Sequence, residues 1–196
     1  MNHLVIMAKA PQAGLVKTRL AREIGTAEAL RTYRAMLGET VRNLGRDERW
    51  QTWLAVAPDI SAFSNLWPPY VGLIRQGGGN LGDKMQRIFD CLPPGPAIII
   101  GSDIPRVKPG EIAQGFKTLG NCEAVLGPAP DGGYWLIGLS RRIRVERPFS
   151  GVRWSSAHAR ADTLANLAHI NVGYARERRD LDTVSDYMDW LAGKLG

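Results

Sequence analysis

The amino-acid sequence predicts an α/β fold: a three-layer α/β/α sandwich around a mixed, mostly parallel sheet. The first observation is that short apolar runs rich in β-branched residues alternate along the chain with longer segments of helical periodicity. The second is that no internal repeat, low-complexity tract or linker interrupts this alternation over 196 residues. Because this length is typical of one domain, we expect a single domain over residues 1–196.

Seven strands are predicted where short, largely apolar runs are bounded by polar or turn-forming residues. In chain order they are His3–Ala8, Thr52–Ala57, Gly72–Gln76, Ala97–Gly101, Glu123–Gly127, Tyr134–Leu139 and Ile170–Val172. The fourth strand contains three consecutive isoleucines, which is typical of a strand that is buried on both faces of a parallel sheet. We therefore place it near the centre of the sheet.

Six helices are predicted between these strands. In chain order they are Lys17–Ile24, Ala27–Leu44, Asp83–Cys91, Pro109–Leu119, Ser156–Leu167 and Val184–Lys194. The second is the clearest, because Leu30, Leu37, Val41 and Leu44 fall on one apolar stripe. We expect Thr26 to cap this helix, and Gly25 to end the short helix before it.

Composition and charge exclude several classes of protein. A hydrophobic content of 44% is too high for a disordered chain, and no apolar run approaches the ~18 residues of a membrane span. The first apolar run is too short for the core of a signal peptide, so we expect a cytoplasmic protein. The net charge of +6 lies in patches that are not interleaved with stacking aromatic residues, so we expect no nucleic-acid binding.

The segment Lys9–Leu20 follows the first strand, and ligands of parallel sheets bind at the carboxyl ends of strands. Lys17 and Arg19 open a helix there, where cations oppose the helix dipole and a bound anion would remove the conflict. Lys17-Thr18 is similar to the end of a P-loop, but Val16 replaces the required glycine. We expect a phosphate site here, a plain surface loop being the alternative. Its predicted binding residues are Ala8, Lys9, Gly14, Lys17 and Arg19.

A glycine-rich loop follows the third strand. Gly77, Gly79 and Gly82 satisfy the pattern G-x-G-x-x-G, but this pattern lies in the middle of the chain and alone is weak support for a dinucleotide site. We expect instead that the loop approaches a nucleoside through Gly79, Leu81 and Gly82. A flexible turn is the alternative.

Three aspartates follow predicted strands or precede a predicted helix. Asp103 comes directly after the central strand, where a carboxylate is well placed to hold a hard divalent cation on a diphosphate. Asp131 lies between two prolines and two glycines, either as part of a hairpin turn or as the group that meets an acceptor. Asp182 precedes the last helix, either as its N-cap or as a second metal ligand.

Together and in this order, these segments resemble the DUF2064 glycosyltransferase-like family of the nucleotide-diphospho-sugar transferase (GT-A) superfamily. The segments that carry the resemblance are Lys9–Leu20, Leu81–Met85, Gly101–Pro105, Gly127–Leu139, Pro148–Ser156 and Asp180–Thr183. The Asp-x-Asp motif usual in that superfamily is reduced here to Ser102-Asp103. The second metal ligand must therefore come from elsewhere, and Asp182 and Asp131 are the candidates.

The resemblance implies a GT-A sandwich, a nucleotide-linked donor and a Mg²⁺ or Mn²⁺ ion. Some family members are associated with arsenosugar biosynthesis, and the related 2-phospholactate guanylyltransferases share the Lys-Thr-Arg-Leu opening. Our first hypothesis is glycosyl transfer from a nucleoside-diphosphate sugar to a small acceptor. In it Asp103 and Asp182 hold the metal, while Asp131, Lys17 and Arg19 are catalytic.

Two alternatives remain open from the sequence. One is nucleotidyl transfer, in which a nucleoside triphosphate reacts with a phosphorylated small molecule and pyrophosphate is released. The other is a nucleotide-binding protein without catalytic activity.

Overall fold

The computed structural model describes residues 1–195, and it confirms the predicted α/β class. The strands are β1 His3–Lys9, β2 Gln51–Ala57, β3 Gly72–Arg75, β4 Ala97–Gly101, β5 Ala124–Pro128, β6 Tyr134–Leu139 and β7 Val172–Tyr174. The helices are α1 Thr18–Ile24, α2 Thr26–Leu44, α3 Leu81–Cys91, α4 Pro109–Leu119, α5 Ala159–Asn166 and α6 Val184–Leu191. Every predicted strand and helix is present, with bounds that differ by a few residues.

The seven strands form one sheet in the order β3-β2-β1-β4-β6-β5-β7. Only β6 runs against the others, pairing antiparallel with both β4 and β5. The sheet is therefore mixed and mostly parallel, as predicted. Because β1 and β4 are parallel neighbours, the segments that follow them emerge side by side at one edge of the sheet.

The sheet lies between two layers of helices. Side chains of β1 alternate across it: Leu4 and Ile6 pack in a core with α2 and α4, whereas Val5 packs in the opposite core with α3. A third, smaller cluster joins α1, α2 and α6 around Leu20 and Leu181. This cluster holds α1 and the segment that precedes α6 in place near the carboxyl end of β4.

Helix ends account for most differences from the predicted bounds. Gly25 ends α1 at φ 84° and is also the N-cap of α2, so Thr26 is the first helical residue rather than the predicted cap. The third helix begins two residues earlier than predicted, because Asn80 and Asp83 form a reciprocal capping box. The prediction placed β7 two residues too early.

One short element has no counterpart in the prediction, a 3₁₀ helix at Asp59–Phe63 in the connection between β2 and β3. A single turn of this kind is too short to produce a periodic pattern. Among the described helices, none is both long and apolar enough to cross a membrane.

Candidate functional site

A cleft of ≈ 490 Å³ opens at the carboxyl ends of β1 and β4. Its walls come from the loop after β1, the first turns of α1 and α3, and the segment that precedes α6. Seven of the predicted site residues line it, namely Ala8, Lys9, Lys17, Arg19, Leu81, Asp103 and Asp182. The strands therefore bring together residues that lie up to 174 positions apart in the chain.

The side chain of Lys17 lies between the two aspartates of the cleft. Its Nζ is 2.9 Å from Oδ1 of Asp103 and 3.0 Å from Oδ1 of Asp182. The lysine side chain is only 4% exposed, whereas the two carboxylates are 49% and 40% exposed. Burial by itself lowers the pKa of Lys17, but the charges of the two aspartates outweigh it and the pKa is raised. Lys17 is therefore a charged ammonium.

The backbone of Lys17 is in the left-handed region, at φ 47° and ψ 44°, at the N-cap of α1. A non-glycine residue in this region costs about 1–2 kcal/mol, so the surrounding contacts must hold it there. Val16 and Leu20, on either side, are both fully or almost fully buried. The backbone around Lys17 is thus anchored in the core while its side chain reaches the aspartates.

Backbone contacts bring the two aspartates together. The N–H of Leu181 donates to the carbonyl of Asp103 at 3.1 Å, and Leu181 is completely buried. Further along, Arg178 donates to the carbonyls of Pro105 and Arg106 at 2.8 and 3.0 Å. The segment before α6 is therefore tied to the loop after β4.

Thr183, and not Asp182, is the N-cap of α6. Its hydroxyl accepts from the N–H of Asp186, and the carboxylate of Asp186 accepts from the N–H of Thr183 in return. This leaves the carboxylate of Asp182 for Lys17. The N-cap alternative for Asp182 was wrong, because its neighbour takes that position.

A third lysine, which the sequence analysis did not assign to the site, also lines the cleft. Lys84 lies in the first turn of α3. With Lys9, Lys17 and Arg19, it gives the cleft four basic side chains. The signal was present in the sequence, since Lys84 directly follows the glycine-rich loop.

Tyr33 connects the last residue of β1 to the residue that follows β4. Its hydroxyl accepts from the N–H of Lys9 at 2.9 Å, donates to the carbonyl of Lys9 at 3.0 Å, and lies 3.2 Å from the hydroxyl of Ser102. Burial raises the pKa of Tyr33, so the phenol stays neutral. Tyr33 falls on the apolar stripe of α2, and a polar group on such a stripe was the signal that the sequence analysis missed.

Gln76 was predicted only as the last residue of β3, but its side chain is buried and lines the cleft. Its Nε2 donates to the carbonyls of Ala8 and Ala55 at 3.2 and 2.7 Å. These contacts fix the amide, because a flip would turn its oxygen toward two carbonyl oxygens. The side-chain oxygen remains as an acceptor for a molecule in the cleft.

The glycine-rich loop is held by side chains of its own neighbourhood. Arg87 donates to the carbonyls of Gln76 and Gly78, and the N–H of Gly77 donates to Asp59 at 3.0 Å. The carboxylate of Asp83 accepts from the N–H of Asn80, so it occupies the helix N-terminus where a dinucleotide pyrophosphate would bind. The geometry therefore does not support a dinucleotide site.

Four predicted site residues lie outside the cleft lining. Gly79 borders a separate shallow hollow, and Gly82 is buried against Phe149 and Trp154. Gly14 is exposed, with φ 76° and open space around it. Asp131 lies in the exposed loop of the β5–β6 hairpin, where its Oδ1 accepts from the N–H of Gly133 at 2.8 Å.

The charge of Asp131 nevertheless affects the pKa of Asp180, in the segment before α6. Burial, and then the charge of Asp182, raise the pKa of Asp180 to about 6, and the charge of Asp131 contributes in the same direction. The N–H of Arg178 donates to the carbonyl of Pro128 at 3.1 Å, so the start of the hairpin loop lies beside the segment that precedes α6.

The two aspartates of the cleft fit a hard divalent ion. Carboxylate oxygens are the ligands that Mg²⁺ and Mn²⁺ prefer, and both side chains are accessible from the cleft. Over residues 1–195, no group of three or more His, Cys, Asp or Glu side chains is arranged to hold a metal. The pair therefore supplies at most part of the ligand set of such an ion.

Comparison with known proteins agrees with the fold. The model of the family described as "Uncharacterized protein conserved in bacteria (DUF2064)" matches residues 40–156. A Desulfovibrio desulfuricans G20 protein, provisionally described as a nucleotide-diphospho-sugar transferase, is 28% identical, with a TM-score of 0.87 over 96% of this chain and 85% of that chain. No functionally curated protein matches at a significant level.

Two more distant structures share the fold alone. The 4-diphosphocytidyl-2C-methyl-D-erythritol synthase of Anaerococcus prevotii DSM 20548 is 11% identical, with a TM-score of 0.65 over 98% of this chain and 97% of that chain. The manganese complex of Rv0371c from Mycobacterium tuberculosis H37Rv is 18% identical, with a TM-score of 0.58 over 97% of each chain.

Proposed function

This chain belongs to the DUF2064 family, and we propose that it transfers a glycosyl group from a nucleoside-diphosphate sugar to a small acceptor in a metal-dependent reaction. The observation that carries the proposal is the arrangement of Lys17, Asp103 and Asp182 in a basic cleft at the carboxyl ends of β1 and β4. A diphosphate and a divalent ion together have the charges that such a cleft complements. The description of the Desulfovibrio protein supports a donor of this class.

The basic side chains of the cleft bind the diphosphate of the donor. Lys9 and Arg19 are exposed at its wall, and Lys84 faces them from α3. As the bond to the sugar breaks, negative charge grows on the leaving diphosphate, and cations fixed beside it lower the barrier. Lys17 and Arg19 are assigned this role, as the sequence analysis expected.

Asp103 and Asp182 would hold Mg²⁺ or Mn²⁺ at the diphosphate. Such an ion, when bound, supplies Lewis-acid stabilisation of the leaving group. The manganese complex of Rv0371c supports an ion of this kind in this fold. The two carboxylates would hold one side of the ion, and the basic side chains that line the same cleft would face the phosphates.

The nucleoside lies between Leu81 and Gln76. Leu81 is the one member of the glycine-rich segment predicted for this contact that lines the cleft. The fixed side-chain oxygen of Gln76 accepts a hydrogen bond from an N–H of the base. An apolar wall with one oriented acceptor is a typical way to place a base.

Asp131 is assigned to the acceptor. Its Oδ1 is used by Gly133, which leaves Oδ2 to accept a proton from an acceptor hydroxyl. The hairpin loop is exposed, so an acceptor enters from solvent beside the donor.

The test is a turnover screen with nucleoside-diphosphate sugars, small hydroxylated acceptors and Mn²⁺. We expect acceptor-dependent release of nucleoside diphosphate and a glycosylated product by mass spectrometry. Asp103→Asn should lower the rate at least a hundredfold, whereas Asp90→Asn, an exposed aspartate of α3 outside the cleft, should not change it. Turnover that is unchanged in Asp103→Asn or independent of metal would refute the metal assignment.

Nucleotidyl transfer is the second candidate, favoured by the four basic side chains that line the cleft. Two phosphates leave some of these cations without a phosphate partner, whereas a triphosphate engages more of them. In this reaction an oxygen of a phosphorylated acceptor attacks the α-phosphorus, and pyrophosphate leaves with the bonding electrons. Acceptor-dependent release of pyrophosphate from a nucleoside triphosphate would establish it in place of glycosyl transfer. Tight nucleotide binding without either product would favour a non-catalytic binding protein.

A further inference from the structure

We infer that Lys17 is an internal counter-ion that closes the Asp103–Asp182 pair to free divalent metal, so that the site accepts the metal only together with a diphosphate. This inference rests on the proposed metal-dependent function, because it concerns the same two carboxylates. It adds that the metal binds to these carboxylates together with the diphosphate and not before it.

The Nζ of Lys17 contacts one oxygen of each aspartate at 2.9 and 3.0 Å, so a single buried ammonium occupies the space between the carboxylates. Among the ion pairs of residues 1–195, Lys17 is the only cation within 4.0 Å of either carboxylate. The other basic residues of the cleft lie farther away and do not share this position.

Two carboxylates and one ammonium carry a net charge of −1, so a free divalent ion that enters would leave an excess positive charge beside a buried ammonium. A diphosphate that enters with the ion brings the negative charge that balances both cations. The site thus favours a metal–diphosphate complex over the free ion.

The ammonium of Lys17 can change partners without movement of the loop. Val16 and Leu20 are buried on both sides of Lys17, and the backbone of Lys17 is held in the left-handed region. Four side-chain torsions separate this fixed backbone from Nζ. A rotation of the side chain is therefore sufficient to move the ammonium from the aspartates to phosphate oxygens in the same cleft.

The experiment measures Mn²⁺ binding to the whole protein by electron paramagnetic resonance, first with Mn²⁺ alone and then with inorganic pyrophosphate. Lys17→Met and Lys17→Gln should each bind Mn²⁺ alone at least tenfold more tightly than the unmodified protein. Pyrophosphate should remove this advantage. Lys9→Met, which removes a cation from the cleft without touching the aspartates, should change the affinity for Mn²⁺ alone less than threefold. Circular dichroism checks that each variant is folded. If Lys17→Met does not fold, Lys17→Gln alone is compared with the unmodified protein.

The outcomes separate this inference from the proposed function. If the unmodified protein and the two Lys17 variants bind Mn²⁺ alone with equal affinity, and Asp103→Asn loses binding, the inference is overturned and the assignment of the metal site stands. The expected tenfold gain in a protein that shows no transferase activity would support the inference and count against the proposed reaction. Absence of Mn²⁺ binding in every variant, with and without pyrophosphate, would overturn both.

Discussion

Gly82 is packed against aromatic side chains in the first turn of α3. A Cβ added there would lie 2.8 Å from Cβ of Phe149 and 2.8 Å from the ring of Trp154, closer than carbon atoms normally approach. Gly82→Ala gains about 1 kcal/mol of helix propensity, but overpacking of a core costs about 1–3 kcal/mol. We expect a net loss of about 1 kcal/mol in the free energy of unfolding, measured by urea denaturation.

Gly78→Ala is the matched control for this prediction. Gly78 lies in the same loop, has no atom within 4 Å of an added Cβ and does not have a left-handed backbone. Its substitution should change the free energy of unfolding by less than about 0.5 kcal/mol. If both variants are equally stable, the packing role of Gly82 is refuted, and a contact with the ligand becomes the better explanation for this glycine.

Single residues of the cleft could be predicted only where they directly follow a strand or open a helix. Lys17, Arg19 and Asp103 satisfy this condition, because the carboxyl ends of parallel strands meet at one edge of a sheet. Tyr33 does not, because it lies in the middle of α2. Gln76 follows β3 in the structure, but the predicted strand included it, and a buried amide at a strand end gives no local signal. The pairing of Lys17 with two aspartates was also beyond prediction, because it depends on contacts across 165 residues.

The segment between β7 and α6 makes the stability of the protein depend on pH. Burial and the charge of Asp182 raise the pKa of Asp180 from its ordinary 3.8 to about 6. The folded protein therefore holds this proton more tightly than the unfolded chain, and ionisation of Asp180 destabilises the fold as the pH rises from about 4 to about 6. Asp180→Asn should be as stable as the unmodified protein at pH 4 and more stable at pH 7.

The expected gain at pH 7 is about 1 kcal/mol, since Asp180 is partly open to solvent and screening reduces the effect. Urea denaturation at pH 4, 5, 6 and 7 without added metal measures it. Asp47→Asn is the control, because hydrogen bonds from Arg49 lower the pKa of Asp47 and the sign is reversed. A constant difference between Asp180→Asn and the unmodified protein over this range would show that Asp180 does not titrate there.

Helices and strands could be predicted where the residues of one segment by themselves form a clear pattern. The isoleucine run of β4 and the apolar stripe of α2 produce clear signals, and both elements were found at or within one residue of their predicted bounds. The strand β7 has only three residues, Val172–Tyr174, and the 3₁₀ helix has five, so neither spans enough residues for a pattern to fix its position. Their places are set by pairing with β5 and by packing against β2 and β3.

At the scale of the whole molecule, the net charge of +6 is divided between structural and cleft positions. Arg141 donates to the carbonyls of Leu92 and Pro93, and Arg142 donates to those of Gly120 and Cys122, so both satisfy backbone groups beyond α3 and α4. Lys9, Lys17, Arg19 and Lys84 concentrate four basic side chains in the cleft, whereas Arg144 and Arg147 are exposed at a second hollow of the surface.

This concentration of charge predicts how the whole protein responds to ligands. Nucleoside diphosphate with Mn²⁺ at about 100 times its dissociation constant should stabilise the fold by about 2.7 kcal/mol. For a protein of 196 residues this corresponds to an increase in Tm of roughly 5–10 °C, since each kcal/mol shifts Tm by about 2–4 °C. Mn²⁺ alone should have a much smaller effect if Lys17 closes the aspartate pair, and a single-stranded oligonucleotide should have none. Asp103→Asn should lose the part of the shift that requires Mn²⁺, and an oligonucleotide that shifts Tm as much as the diphosphate would show that the cleft is not selective for a compact ligand.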